Sequence, residues 1–233
     1  MTKANTQLIV ALDFDSINDI KTLVENIGDT VNYYKVGKQL FTQEGRKVLD
    51  YLKEQSKSIF LDLKFHDIPN TVAQAVRSGV ELGADMINVH GFGGSDMLKA
   101  AVEAAKSTNP DALLIAVTVL TSMDQKALNE IGLDVSPVEQ VIRLAKLAQS
   151  AGADGVVASA KESLAIREAC GSNFVHVLPG IRPAGSDTQD QKRVVTPRDA
   201  ALMGAEYIVV GRPITKANDP VQAANDIQNS LII

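Results

Sequence analysis

Eight alternations of a short apolar run with a helical stretch predict that the chain, residues 1–233, is a single α/β domain of the (β/α)8 TIM-barrel type. The runs are apolar throughout, without polar alternation, as parallel strands covered on both faces require. The length of 233 residues also fits, because such barrels occupy roughly 200 to 250 residues as one domain.

In chain order, Leu8–Leu12 is the first strand, closed by Asp13, and Ile17–Ile27 follows with apolar residues at helical spacing. Tyr33–Val36 pairs with the helical stretch Leu40–Leu52, Ile59–Leu63 with Val72–Leu82, and Met86–Val89 with Met97–Ala105. Leu113–Val119 precedes Val138–Ala151, Gly155–Ala158 precedes Ser163–Ala169, Phe174–Leu178 precedes Pro197–Met203, and Tyr207–Val210 precedes Pro220–Leu231. A doubly wound sheet uses the same alternation with fewer strands and is the structural alternative, but no G-x-G-x-x-G follows the first strand. Two connections exceed what a barrel requires, Thr121–Pro137 and Pro179–Thr196. Both leave C-terminal strand ends, the face where barrel enzymes place their sites. The second holds Gly180, Pro183, Gly185, Ser186 and Asp187 with Arg182, Lys192 and Arg193, a composition suited to a mobile phosphate-seeking lid. The plainer reading is a tolerated surface insertion.

Composition narrows the function classes. A net charge of -5 and a pI near 5.2 argue against sequence-independent nucleic-acid binding, which needs Lys and Arg to neutralise phosphates. Anything phosphorylated must therefore be held locally. One cysteine, Cys170, cannot form an internal disulfide and reads as a small helix residue facing the core. The first residues show no basic stretch followed by a long apolar run, so the expected compartment is the cytoplasm, with no membrane partner.

Charges at strand ends carry the functional reading. Strand one ends in Asp13, strand two carries Lys35 before Gly37, and strand three runs into Asp62-Leu63-Lys64-Phe65-His66-Asp67. Asp62 and Lys64 are two apart, so an extended segment sends both side chains to the same face. One such pair is a solvated strand end; four or five alternating charges converging on one barrel mouth are costly unless paired or used. Val209-Val210-Gly211-Arg212-Pro213 leaves strand eight and starts the last helix. Gly211 lets backbone N–H groups approach an anion and Arg212 supplies a forked donor, which with Arg182 makes the phosphate site that barrels build after strands seven and eight. The alternative is a helix-starting turn with a solvated Arg. His66, His90 and His176 lack paired metal-ligand spacing, and neither a G-x-S-x-G turn nor a plausible cysteine nucleophile is present.

With these residues placed, the sequence resembles the bacterial-type orotidine 5′-phosphate decarboxylase family over essentially its full length. The motifs that carry the resemblance are A-L-D-F at Ala11–Phe14, K-V-G at Lys35–Gly37, and D-L-K-F-H-D-I-P-N-T at Asp62–Thr71. V-T-V-L-T-S at Val117–Ser122, P-G-I-R-P at Pro179–Pro183, Asp190-Gln191 and V-V-G-R-P-I-T at Val209–Thr215 complete them. The ten-residue run is highly specific; the Gly-Arg turn alone is not. The resemblance implies removal of CO2 from a pyrimidine nucleotide without cofactor or metal, with Lys64 as proton donor and Asp62 beside the leaving carboxylate. It implies that Asp13 and Lys35 hold ribose hydroxyls and the charge network, and that Ile68 and Thr71 help line the site. Thr121 and Gln191 would contact the base, Pro179 would pack near the pyrimidine, and Arg182, Gln191, Gly211 and Arg212 would bind the phosphate. Asp67 would enter the neighbouring subunit's active site, so a homodimer is expected. A magnesium-dependent sugar-phosphate decarboxylase or aldolase of the same superfamily is the enzyme alternative; such relatives are expected to present a carboxylate where this chain has Lys35. A non-catalytic nucleotide-binding barrel is the remaining one, and intact Lys64 with both carboxylates argues against it.

Overall fold

The computed structural model describes residues 6–183 and 195–232. Strands Gln7–Ala11 (β1), Tyr33–Gly37 (β2), Ser58–Phe65 (β3), Met86–His90 (β4), Leu113–Val117 (β5), Gly155–Val157 (β6), Val175–Leu178 (β7) and Tyr207–Val210 (β8) pair in parallel, in sequence order. β8 also pairs with β1, in the register Leu8↔Ile208, so the barrel closes and the doubly wound alternative is excluded.

The helices are Ile17–Ile27 (α1), Lys38–Glu44 (α2), Arg46–Glu54 (α3), Pro69–Glu81 (α4), Gly94–Thr108 (α5), Gln125–Glu130 (α6), Pro137–Ser150 (α7), Ala160–Cys170 (α8), Pro197–Leu202 (α9), Arg212–Thr215 (α10) and Pro220–Ser230 (α11). Where the sequence predicts one helix over Leu40–Leu52, two form. Gly45 breaks it, at φ 58° in the left-handed region that glycine enters without penalty. The long connection after β5 encloses α6, capped by the Asp124 carboxylate, which accepts from the Ala127 N–H. α7 starts on a full capping box, Ser136 with Glu139. A second correction concerns the turn after β8: Arg212 opens the separate four-residue α10, and the last helix begins only at Pro220.

Two apolar layers explain why the strands read as uninterrupted hydrophobic runs. Ile9, Ala11, Tyr33, Phe60, Met86, Ile115, Val177 and Val209 fill the barrel interior. Their neighbours, such as Leu8, Val10, Tyr34, Leu61 and Ile87, face the helices. This parity also positions the site. Two residues beyond Tyr33, Phe60, Met86 and Val209 lie Lys35, Asp62, Asn88 and Gly211, each on an inward-facing position one layer nearer the C-terminal mouth.

His176 takes the outward parity on β7. Its Nδ1 lies 2.8 Å from the Ser163 hydroxyl on α8, and it is fully buried. Burial, with a smaller contribution from the positive charge of Arg167, lowers its pKa from 6.5 to about 4. The unfolded chain thus takes up a proton below about pH 6.5 that the folded chain refuses until about pH 4, so stability falls with pH across that window. Urea titrations should show this group removing about 2 kcal/mol between pH 6.5 and pH 5. His176→Gln should flatten that slope; an unchanged slope would show that the loss comes from other groups.

Candidate active site

Four charges of alternating sign cross the barrel mouth. Lys35 Nζ lies 3.1 Å from Asp13 Oδ1 and 3.4 Å from Asp62 Oδ2, and Lys64 Nζ donates to Asp62 Oδ1 at 2.5 Å. Asp62 and Lys35 are almost entirely buried, while Asp13 and Lys64 reach toward solvent. Burial alone pushes the Asp62 carboxyl up; the charges of Lys35 and Lys64 and hydrogen bonds from Lys64 and Asn88 outweigh it and leave the pKa below the ordinary value. Asp62 is thus an anion at neutral pH, held between two ammonium groups. Gly37 makes room for this, since a Cβ there would lie 2.8 Å from Lys35 Nζ.

Lys64 reaches Asp62 by a route the spacing argument does not describe. The residue is left-handed, at φ 52°, and the β3–β4 register shifts between Leu61 and Phe65. Side-chain alternation therefore ends at Asp62. A local backbone turn, not a shared strand face, brings the ammonium back over the carboxylate.

The charges floor a cavity of about 180 Å³ bordered by Lys35, Asp62 and Lys64 and walled by Val117, Val119, Leu120, Thr121, Val157, Val177 and Pro179. An apolar wall against a charged floor suits a flat, partly polar ring. Lys35, Pro179 and Val209 also border a second cavity, of about 430 Å³, reached by Asp13, Gly180, Arg182, Gly211, Arg212 and Lys216. Arg182 is buried, and its Nη1 donates to the Ile181 carbonyl at 3.0 Å, while its Nε has no partner among the described residues. Burial, then the adjacent Arg212 charge, lowers the Arg182 pKa. Two guanidiniums on one cavity, one with an unmet buried donor, give it the chemistry to take an anion. α10 is only one turn long, so the guanidiniums and the Gly211 backbone carry this role more than a helix dipole does.

Not every expected residue joins these cavities. Asp67, Ile68 and Thr71 are exposed beside the mouth and border neither. The Asp67 carboxylate accepts from the Ile68 N–H at 2.7 Å, and the Ile68 side chain stands out into solvent. Gln191, like Asp190, Lys192, Arg193 and Gly185 to Asp187, lies outside the described residues. His90 stacks on His66 with ring centroids 5.4 Å apart, and its pKa falls to about 4, chiefly by burial and then through His66, Lys64 and Lys38. It is therefore neutral near pH 7. Among the described residues, no three His, Cys, Asp or Glu side chains are grouped to hold a metal ion, and no helix is long and apolar enough to cross a membrane.

Asn88 is absent from the sequence-based set. It is fully buried beside Asp62, and the available signal was a single amide in the otherwise apolar run Met86–Val89.

Fold and site together define a (β/α)8 barrel with a buried charge array beside an arginine-lined cavity at its C-terminal mouth. The chain belongs to the orotidine 5′-phosphate decarboxylase / HUMPS family, whose model matches residues 6–227. The orotidine 5′-phosphate decarboxylase of Moorella thermoacetica is 52% identical over 230 residues, covering 96% of this chain and 91% of its own. That of Hydrogenovibrio crunogenus is 48% identical over 225 residues, covering 97% and 95%. The crystal structure of orotidine 5′-phosphate decarboxylase from Lactobacillus acidophilus superposes with a TM-score of 0.86 at 40% identity, covering 97% of this chain and 99% of that one.

Proposed function

We propose that this chain is a carboxy-lyase that converts orotidine 5′-phosphate to uridine 5′-phosphate and CO2 in pyrimidine biosynthesis, in the cytoplasm, as one catalytic domain spanning residues 1–233. The observation that carries the reading is the Asp13–Lys35–Asp62–Lys64 array flooring a cavity next to the Arg182–Arg212 receptor. The pyrimidine occupies the smaller cavity, beside Thr121 and Pro179, and the phosphate the larger, against Arg182, Gly211 and Arg212, with Gln191 assigned to both base and phosphate. Lys35, where the two cavities meet, and Asp13, its ion-pair partner on the larger one, serve the ribose. Asp67, Ile68 and Thr71 serve the site of a second copy in a homodimer, which accounts for their exposure in one chain.

In the proposed step the ring carbon–carboxylate bond breaks, the electron pair stays on the ring carbon, and CO2 leaves. Lys64 Nζ delivers a proton to that carbon and is reprotonated from solvent, so one proton is consumed per turnover. Its ammonium first stabilises the developing charge and then quenches it. Asp62 faces the departing carboxylate. Two like charges about 4 Å apart at an effective dielectric near 20 repel by roughly 4 kcal/mol, about three powers of ten in rate. Repulsion alone is too small for so poorly stabilised a carbanion. Binding energy from the phosphate end must be expressed in the transition state, by holding the substrate against the charge array.

The ultraviolet loss of orotidine 5′-phosphate on mixing with the purified protein tests the activity, and the same assay with a chelator tests that no metal takes part. No decline on mixing would remove the reading; a chelator-sensitive rate would favour a magnesium-dependent relative. Lys35 stands where such relatives are expected to present a carboxylate, and an ammonium there repels a cation. Arg212→Ala should lower kcat/KM for the phosphorylated substrate by about 100-fold, the size of losing a charge-assisted contact of roughly 3 kcal/mol, and should leave slow turnover of the nucleoside nearly unchanged. Equal losses on both would remove the phosphate assignment.

A further inference from the structure

We infer that Asn88 is a positioning residue for the reaction, an internal clamp whose single amide sets both the backbone of Lys64 and the carboxylate of Asp62. The inference rests on the proposed roles of those two residues. Asn88 Oδ1 accepts from the Lys64 backbone N–H at 2.8 Å, and Asn88 Nδ2 donates to Asp62 Oδ1 at 2.6 Å. The reverse amide orientation would set an oxygen against a carboxylate and a nitrogen against an N–H, so only one assignment satisfies both neighbours.

The sheet shows why a side chain is needed there. Leu61 pairs with Ile87 and Phe65 with Val89, so four steps of β3 run alongside two steps of β4. Asn88 is the β4 residue inside that gap, where the ladder is interrupted, and its amide supplies the bond that the Lys64 N–H would otherwise lack. The gap is also where Lys64 adopts φ 52°. A non-glycine residue there is strained and persists only where its surroundings fix it. Asn88 fixes it from a fully buried position on the inward face of β4.

The second half of the clamp acts on charge. Asp62 Oδ1 accepts from both Lys64 Nζ and Asn88 Nδ2, while Oδ2 faces Lys35 Nζ. Each oxygen thus has an assigned partner, and the carboxylate plane is set by three groups from β2, β3 and β4. Removing the amide frees the backbone of Lys64 and one of these three constraints together. The ammonium then loses its aim although its charge remains. Asn88 touches no substrate in this scheme, so the loss should fall on turnover and spare binding at the phosphate end.

Asn88→Leu, similar in volume and lacking both bonds, should reduce kcat by about 10- to 100-fold, the usual scale for losing a group that orients a reacting one, with affinity for uridine 5′-phosphate within about threefold of wild type. Asn88→Asp separates the halves, because it keeps an acceptor for the Lys64 N–H but sets a second carboxylate against Asp62. Among Asp13, Lys35, Lys64 and Asp62, that pair should hold a shared proton to higher pH, moving the acid limb of the kcat profile upward. Hydrogen exchange at the Lys64 amide should accelerate in Asn88→Leu and stay slow in Asn88→Asp, a readout independent of any reaction. A folded Asn88→Leu with kcat within twofold of wild type, parallel losses of kcat and nucleotide affinity, or unchanged Lys64 exchange would each overturn the inference. If Asn88→Leu does not fold, an Asn88→Asp enzyme with the wild-type pH profile overturns it. Failure of the wild-type protein to consume orotidine 5′-phosphate would instead sink the parent reading, leaving the clamp to be judged on amide exchange.

Discussion

Lys64→Ala should reduce turnover of orotidine 5′-phosphate by at least about four powers of ten, the largest single effect expected in this chain. Two contributions are lost at once. Positioned proton transfer supplies roughly 10²- to 10⁴-fold, and a preorganised charge at the developing carbanion roughly another 10²- to 10³-fold, with the two overlapping because one ammonium provides both. The variant also strips Asp62 of its shortest ion pair, leaving a buried carboxylate balanced by Lys35 and Asn88 alone. Its pKa should rise toward what burial dictates, so any residual activity should need a higher pH than the wild type. Uridine 5′-phosphate binding should survive, since the Arg182–Arg212 cavity does not involve Lys64. Steady-state rates across pH, with circular dichroism to verify folding, check these outcomes. A folded Lys64→Ala enzyme turning over near the wild-type rate would refute the proton-donor role.

The parts of this site visible in the sequence are those that violate a strong local expectation. Lys35 and Asp62 are charges inside runs that are otherwise apolar on both faces, and parallel-strand burial makes such residues conspicuous. Closure of the barrel follows from eight strand–helix alternations and needs no further information. What stayed hidden depends on features with no periodicity. The break between α2 and α3 hangs on the left-handed Gly45 in a segment otherwise spaced for one helix. The register shift that turns Lys64 over Asp62 leaves no mark, because Leu63, Lys64 and Phe65 read equally well as a continuing strand. Asn88 is inconspicuous in the sequence because one amide in a strand ordinarily finds a backbone partner; its importance lies in the skip of β3 beside it. Resemblance and the position after β7 point to Arg182, but its burial with an unsatisfied Nε, unlike a solvated side chain, depends on the fold.

The exposed ledge after β3 leads to the second large effect. Asp67→Ala and Lys64→Ala enzymes, each nearly inactive alone, should recover about one quarter of wild-type activity when mixed at equal concentration under conditions that allow subunit exchange. In the proposed homodimer, half of the pairs then carry one subunit of each kind. In such a dimer the site built on the Lys64→Ala subunit lacks both groups, because its borrowed Asp67 is also missing. The other site keeps its own Lys64 and borrows an intact Asp67, so one site in four across the mixture is whole. The geometry motivating this is specific. Asp67 lies only three residues beyond Lys64, yet its carboxylate turns to its own Ile68 N–H and borders neither cavity, while Ile68 beside it presents a largely exposed apolar side chain. Such a side chain gains by burial against a second copy, roughly 25 cal/mol for each Å² covered. Ile68→Asp should accordingly weaken the dimer and lower activity together, with sedimentation and rate measured on the same sample. Recovery near zero despite verified exchange would place Asp67 in its own subunit's site, and the exposed ledge would then need another explanation.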